Sequence, residues 1–126
     1  MNKTYNPPEV TPGPGYSHGV EIAPGARILY TAGQLGIGPD GKFLPDFRGQ
    51  AEQAWRNIET ILKAAGMGME NLVKVNHYLV RKEDFPVYRE VRAKMLGSNT
   101  PASTLIFISS LARDGALVEV EAVAAK

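Results

Sequence analysis

Glu119 and Glu121 have the spacing in this 126-residue chain that most directly suggests acid–base chemistry. In the run ALVEVEAVA from Ala116 to Ala124, strand alternation sends Val118, Val120, Ala122 and Ala124 to one face. Leu117, Glu119, Glu121 and Val123 go to the other. Two carboxylates then stand about 7 Å apart, Cα to Cα. Burial and a like-charged neighbour both disfavour ionisation, so a partly covered pair can tune one member for proton transfer. The solvated outer face of an antiparallel sheet would carry the same pattern.

The other reactive residue types offer less. There is no cysteine, which removes thiolate catalysis, disulfides and cysteine-ligated metals. His18 and His77 are the only histidines; they are far apart and lack metal-ligand spacing, so each reads as a structural histidine. In a strand, Asn76 and His77 point to opposite faces, so one of them reaches the far side of the sheet. Ser109 and Ser110 have no nucleophile-elbow context. Gly36 and Gly38 open no helix, so they are not a phosphate loop. Met67, Met69 and Met95 read as gap-fillers, and Trp55 reads as core.

Composition bounds the rest. With 44% hydrophobic residues, a single small core is available to one domain spanning residues 1–126. Net charge is +1 and no basic run exceeds two residues, which argues against nucleic acid or an anionic membrane surface as partner. No apolar run approaches a membrane span, and the start of the chain lacks an apolar signal segment, so the sequence reads as a cytoplasmic protein.

These side chains need a scaffold. Residues 1–15 carry Pro7, Pro8, Pro12 and Pro14 and read as an extended lead-in. Val20–Ile22 and Arg27–Thr31 flank Ala23-Pro24-Gly25, which predicts a hairpin. Ala51, Ala54, Trp55, Ile58, Ile61, Leu62 and Ala65 recur at helical spacing, and Gly66 stops that helix. Leu72–Val80 reads as a strand. Asp84 is placed to cap a second helix with Pro86 in its first turn, an apolar stripe of Phe85, Tyr88, Val91 and Met95, and Gly97 at its end. Thr104–Ser109 and Ala116–Ala125 read as two more strands. The predicted order is β-β-α-β-α-β-β, an α+β fold with two helices on one face of a mixed sheet. Leu105–Ile108 is apolar on both faces, yet the chain has no further element to cover the far side. A second copy of the chain could supply that cover.

Several segments resemble the RidA/YjgF family in order and spacing. They are Gly15-Tyr16-Ser17-His18-Gly19-Val20, Thr31-Ala32-Gly33-Gln34, Gln53-Ala54 through Gly66, Leu72-Val73-Lys74-Val75, Pro101-Ala102-Ser103-Thr104, and above all Val118-Glu119-Val120-Glu121-Ala122-Val123-Ala124. The resemblance implies a chorismate-mutase-like fold and a homotrimer with a central β-barrel and small-molecule clefts between subunits. It also implies hydrolysis of 2-imino acids and their enamine tautomers to 2-keto acids and ammonia, without metal or organic cofactor. It makes Glu119 the residue that positions or activates water, and Tyr16 and Gly33 part of the substrate cleft. Ala32 stands where many members have serine.

The sequence departs from the family at Ser103, where the deaminases carry an arginine that grips the substrate carboxylate through two parallel N–H donors. Losing a hydrogen bond to a charged group weakens an interaction by about 1.5–3 kcal/mol. Arg89, on the second helix, is a candidate to supply a guanidinium across a subunit interface; pairing with Glu90 or Glu52 is the other reading. Three functions follow from this pattern. One is a deaminase of an imine, enamine or related C–N metabolite, with its preference shifted from simple 2-imino acids. The second is a non-catalytic small-molecule-binding trimer. The third is an endoribonuclease, which the near-neutral charge disfavours.

Overall fold

The computed structural model describes residues 1–126. Seven strands and two helices follow one another: β1 (Lys3–Tyr5), β2 (Gly19–Glu21), β3 (Ile28–Tyr30), β4 (Gln34–Leu35), α1 (Phe47–Ala64), β5 (Leu72–Leu79), α2 (Phe85–Leu96), β6 (Ala102–Phe107) and β7 (Val118–Ala125). The main sheet runs β3-β7-β5-β6, with β4 also pairing along β7. β5 and β6 are parallel and the other pairs antiparallel, so the sheet is mixed and the fold is α+β as expected.

α1 begins at Asp46, whose carboxylate accepts the Gly49 N–H. It ends in a Schellman arrangement: Gly66, at φ 70°, donates to the Lys63 carbonyl and Met67 to that of Leu62. Its predicted stripe is the core. Ala51, Ala54, Trp55, Ile58 and Leu62 are fully buried against Val118, Val120, Ala122 and Ala124, the apolar face of β7. Each large side chain buried in this way contributes about 1.5–3 kcal/mol. Buried Gln50 ties α1 to the entrance of β7 by donating to the Gly115 carbonyl and accepting the Leu117 N–H.

Three local expectations are corrected. The extended lead-in contains a strand, because β1 precedes the first proline and pairs with β2. Asn2 anchors it, donating to the Ala125 carbonyl and accepting the Ala23 N–H. The Ala23–Ala26 turn forms with Gly25 at φ 77°, but β2 and β3 do not make a hairpin. β2 turns to β1 and β3 to β7, since each finds a longer-range partner. Finally, Asp84 makes no side-chain cap for α2; its carboxylate takes two hydrogen bonds from Arg81 instead.

The sheet's other face lacks a covering layer. Tyr30 is 74% exposed and Ile106 44% exposed there, beside Glu119 and Glu121.

Candidate functional site

The parallel register of β5 and β6 decides where each candidate residue faces. Val75 pairs with Ser103 and His77 with Leu105, so Ser103 shares the helix-side face with His77. Asn76 pairs with Glu121 and Tyr78 with Glu119, so these four side chains share the opposite face. The candidate residues therefore form two groups within one chain, one on each side of the sheet.

The first group surrounds Glu119. Glu121 is tied down: Tyr78 Oη donates to its Oε1 at 2.7 Å and Asn76 Nδ2 to the same oxygen at 3.0 Å. The Tyr78 hydroxyl is held above its ordinary pKa chiefly by this hydrogen bond. Glu119 makes no such bond. Its carboxylate lies over Gly33, so closely that a β-carbon there would overlap it. Burial, and then the charge of Glu121, push the Glu119 carboxyl above the usual carboxylate range. The two glutamates are thus unlike in a useful way, one fixed and one free. They line a cleft of about 350 Å³ with Tyr78, Ile108 and Leu111.

The second group lies between α2 and the β6 edge. Tyr16, Arg89, Arg92 and Ser103 line a cleft of about 400 Å³ whose apolar walls are Phe85 and Leu105. Tyr16 is brought there by its neighbours. Ser17 donates its N–H to the Pro101 carbonyl and shares a hydrogen bond with Thr100. The Tyr16 ring folds over Gly13, where a side chain would collide with it. His18 packs edge-on against Tyr16, with ring centroids 5.6 Å apart, and its buried Nε2 has no hydrogen-bond partner. The Arg89 guanidinium lies over the Phe85 ring at 5.7 Å. It makes no ion pair; Glu90 pairs with Arg48 and Glu52 with Arg56.

Ser103 belongs to a buried network as well as to the cleft. Its Oγ lies 2.9 Å from His77 Nε2, and His77 Nδ1 is hydrogen-bonded to the Tyr88 hydroxyl. His77 is fully buried beneath Trp55, and burial lowers its pKa to about 3, so the ring is neutral. Burial raises the Tyr88 phenol.

Sequence reasoning brought forward Tyr16, Gly33, Arg89, Ser103 and Glu119; Glu119 lines the first cleft with Gly33 packed against its carboxylate, and Tyr16, Arg89 and Ser103 line the second. That reasoning missed Arg92 and the contact of Ser103 with His77. Arg92 had a signal: four residues after Tyr88, it interrupts the apolar stripe of α2 with a charge. The Ser103–His77 contact had none, because it depends on the β5–β6 register. No three His, Asp or Glu side chains gather closely enough to hold a metal ion. No helix is long and apolar enough to cross a membrane.

Comparison with known proteins agrees with this architecture. Residues 8–126 match the family model described as Endoribonuclease L-PSP. The 2-iminobutanoate/2-iminopropanoate deaminase of Mus musculus is 34% identical over 111 residues, covering 86% of this chain and 79% of the mouse protein. The crystal structure of a Rid-family protein from Yersinia pestis superposes with a TM-score of 0.89 at 27% identity, over 99% of this chain and 98% of that one. RidA from an Antarctic Psychrobacter gives 0.74 at 33% identity, over 91% and 90%. The chain therefore belongs to the Endoribonuclease L-PSP family, the RidA/YjgF family that its C-terminal strand resembles.

Proposed function

We propose that the protein is a hydrolytic deaminase of an imine or enamine metabolite, working in clefts between the subunits of a homotrimer. The observation that carries this reading is the free Glu119 carboxylate, held above its ordinary pKa beside Gly33 while Glu121 is fixed by Tyr78 and Asn76. Glu119 takes a proton from water as the water oxygen attacks the C=N carbon. It passes that proton to nitrogen, giving the carbinolamine, then takes the carbinolamine hydroxyl proton and delivers it to nitrogen as the C–N bond breaks, leaving a carbonyl product and ammonia. A raised carboxyl pKa suits both transfers, because the group is a stronger base when ionised and still a competent acid. The deaminase name of the mouse relative agrees with this chemistry.

The homotrimer reading rests on the uncovered sheet face. Tyr30 and Ile106 are exposed around the glutamates, and burying them against a second copy would also dry the Glu119 cleft. Such an assembly would bring the Tyr16–Arg89–Ser103 cleft of one subunit to the Gly33–Glu119 group of the next. Tyr16 then lines the site, Arg89 supplies the guanidinium, Gly33 presents its backbone and Ser103 a hydroxyl. Without the family arginine, the preference moves away from simple 2-imino acids.

The test is to generate 2-aminoacrylate and a panel of larger and cyclic imines in situ and follow their decay. Turnover of a panel member, abolished by Glu119→Gln, is expected. Decay no faster than the uncatalysed rate across the panel, or turnover that survives the substitution, refutes the reading. A second reading, a non-catalytic binding trimer, is favoured by one feature: Ser103 stands where the deaminases carry the arginine that grips the substrate carboxylate. Saturable binding of a panel compound without its conversion is the outcome it predicts.

A further inference from the structure

Arg92 is a half-buried cation without a carboxylate. The other arginines and lysines that α1 and the α2 entry hold in ion pairs are Arg48 with Glu90, Arg56 with Glu52, Lys63 with Glu59, and Arg81 with Asp84. Neither Arg92 nor Arg89 has such a partner. They lie three residues apart on α2, which places both guanidiniums on the same side of the helix, above the cleft lined by Ser103 and Tyr16. Burial, and after the Tyr88 contribution the charge of Arg89, bear on Arg92, whose pKa is lowered. A partly desolvated charge left unpaired is unfavourable, and the exposed Arg89 guanidinium facing the same cleft adds a second cation there, so the pair leaves room for an anion.

The third wall of that cleft is a hydroxyl whose proton is directed outward. The Tyr88 phenol is fully buried between His77 Nδ1 and the indole N–H of Trp55, and since an indole N–H only donates, His77 Nδ1 is the one side-chain acceptor beside it. Were the imidazole to donate to it, the phenolic proton would be buried without an acceptor. The phenol therefore donates to Nδ1. A neutral ring then carries its proton on Nε2 and donates to Ser103 Oγ. This leaves the Ser103 O–H free to donate into the cleft.

We infer that this cleft binds a ligand end bearing two negative charges, with Arg89 and Arg92 facing the charges and the Ser103 hydroxyl as a neutral third donor. A dicarboxylate and a phosphate monoester share that chemistry. One cation would suffice for a monocarboxylate; the second guanidinium, set deeper, is what selects a dianion. The inference rests on the cleft being the substrate end of the proposed site. It is tested by binding, so its failure is distinct from a failure of deamination.

The whole protein is titrated calorimetrically at low ionic strength, in a phosphate-free buffer, with succinate, glycerol 3-phosphate and propionate. At least one dianion is expected to bind about tenfold or more tightly than propionate, and which one does so separates the two chemistries. Arg92→Met is expected to remove the preference while propionate binding, carried by Arg89, persists. Arg92→Lys keeps a cation without the planar fork and is expected to retain part of the preference; it decides the matter should Arg92→Met not melt cooperatively. Equal affinity for all three ligands, or a dianion preference undiminished in the variant that folds, overturns the inference. Arg92-dependent dianion binding without turnover of any imine leaves it standing and removes the deaminase reading.

Discussion

Replacing Gly33 by alanine separates the chemistry of Glu119 from the stability of the fold. A β-carbon at Gly33 would lie 2.7 Å from Glu119 Cδ and 3.1 Å from Cγ, with the nearer carboxylate oxygen closer still. Ordinary van der Waals contact begins at 3.4 Å, so the carboxyl carbon must retreat by about 0.7 Å and the oxygen by more. The obstacle is the free end of a flexible side chain, which can move. Gly33 is not among the glycines with positive φ, so alanine strains no backbone there. The fold should therefore keep its stability, or gain up to about 1 kcal/mol through the less flexible unfolded chain. Misplacing a catalytic group by about 1 Å lowers a rate by roughly a hundredfold, so imine hydrolysis should fall by about ten- to a hundredfold. The assay pairs initial rates on the best imine of the panel with urea unfolding of the same preparation. Unchanged turnover in a well-folded Gly33→Ala protein would refute the placement of Glu119 in the reaction.

Three further outcomes follow from the same geometry. Glu121→Gln removes the like charge beside Glu119 while keeping an oxygen for Tyr78 and Asn76; the acid limb of the pH–rate profile should move to lower pH, and a limb that stays in place contradicts the coupling. His77 should make stability depend on pH. Its folded pKa of about 3 lies below the unfolded value of 6.5, so the unfolded chain binds the extra proton between them. Its contribution is complete above pH 6.5 and is lost as pH falls towards 3, with a slope approaching about 1.4 kcal/mol per pH unit. Urea unfolding between pH 5 and 6.5 checks this, and His77→Gln should flatten the slope. Gly36→Ala is the counterpart of Gly33→Ala: its β-carbon would meet the Gln50 backbone, with the carbonyl oxygen at 2.6 Å, so it should unfold at markedly lower urea.

The parts of the fold that were legible in the sequence are those fixed by local periodicity. The alternation of β7 separated Val118, Val120 and Ala122 from Glu119 and Glu121, and the 3.6-residue stripe of α1 named the core with its Gly66 stop. Both patterns depend on a single element and one buried face. The features that were not legible are those decided by distant partners. The Ala23–Ala26 turn has hairpin chemistry, yet β2 and β3 diverge because β1 and β7 compete for them. Asp84 has the identity of an N-cap, but Arg81 claims its carboxylate. At the site, the resemblance pointed to Tyr16, Arg89, Ser103 and Glu119 individually. That they divide into two clefts on opposite faces follows only from the β5–β6–β7 register, as does the link from Ser103 through His77 to Tyr88.

That division gives the account its most direct test. In a homotrimer whose sites join Arg89 of one subunit to Glu119 of the next, two inactive variants can restore each other. Arg89→Ala and Glu119→Gln chains are purified separately, each with its residual activity measured, then unfolded, mixed in equal amounts and refolded together. Random assembly places an intact Arg89 against an intact Glu119 at roughly a quarter of the interfaces. The mixture is expected to recover about that fraction of wild-type imine turnover. Activity no greater than the mean of the two parents would contradict a site shared between subunits.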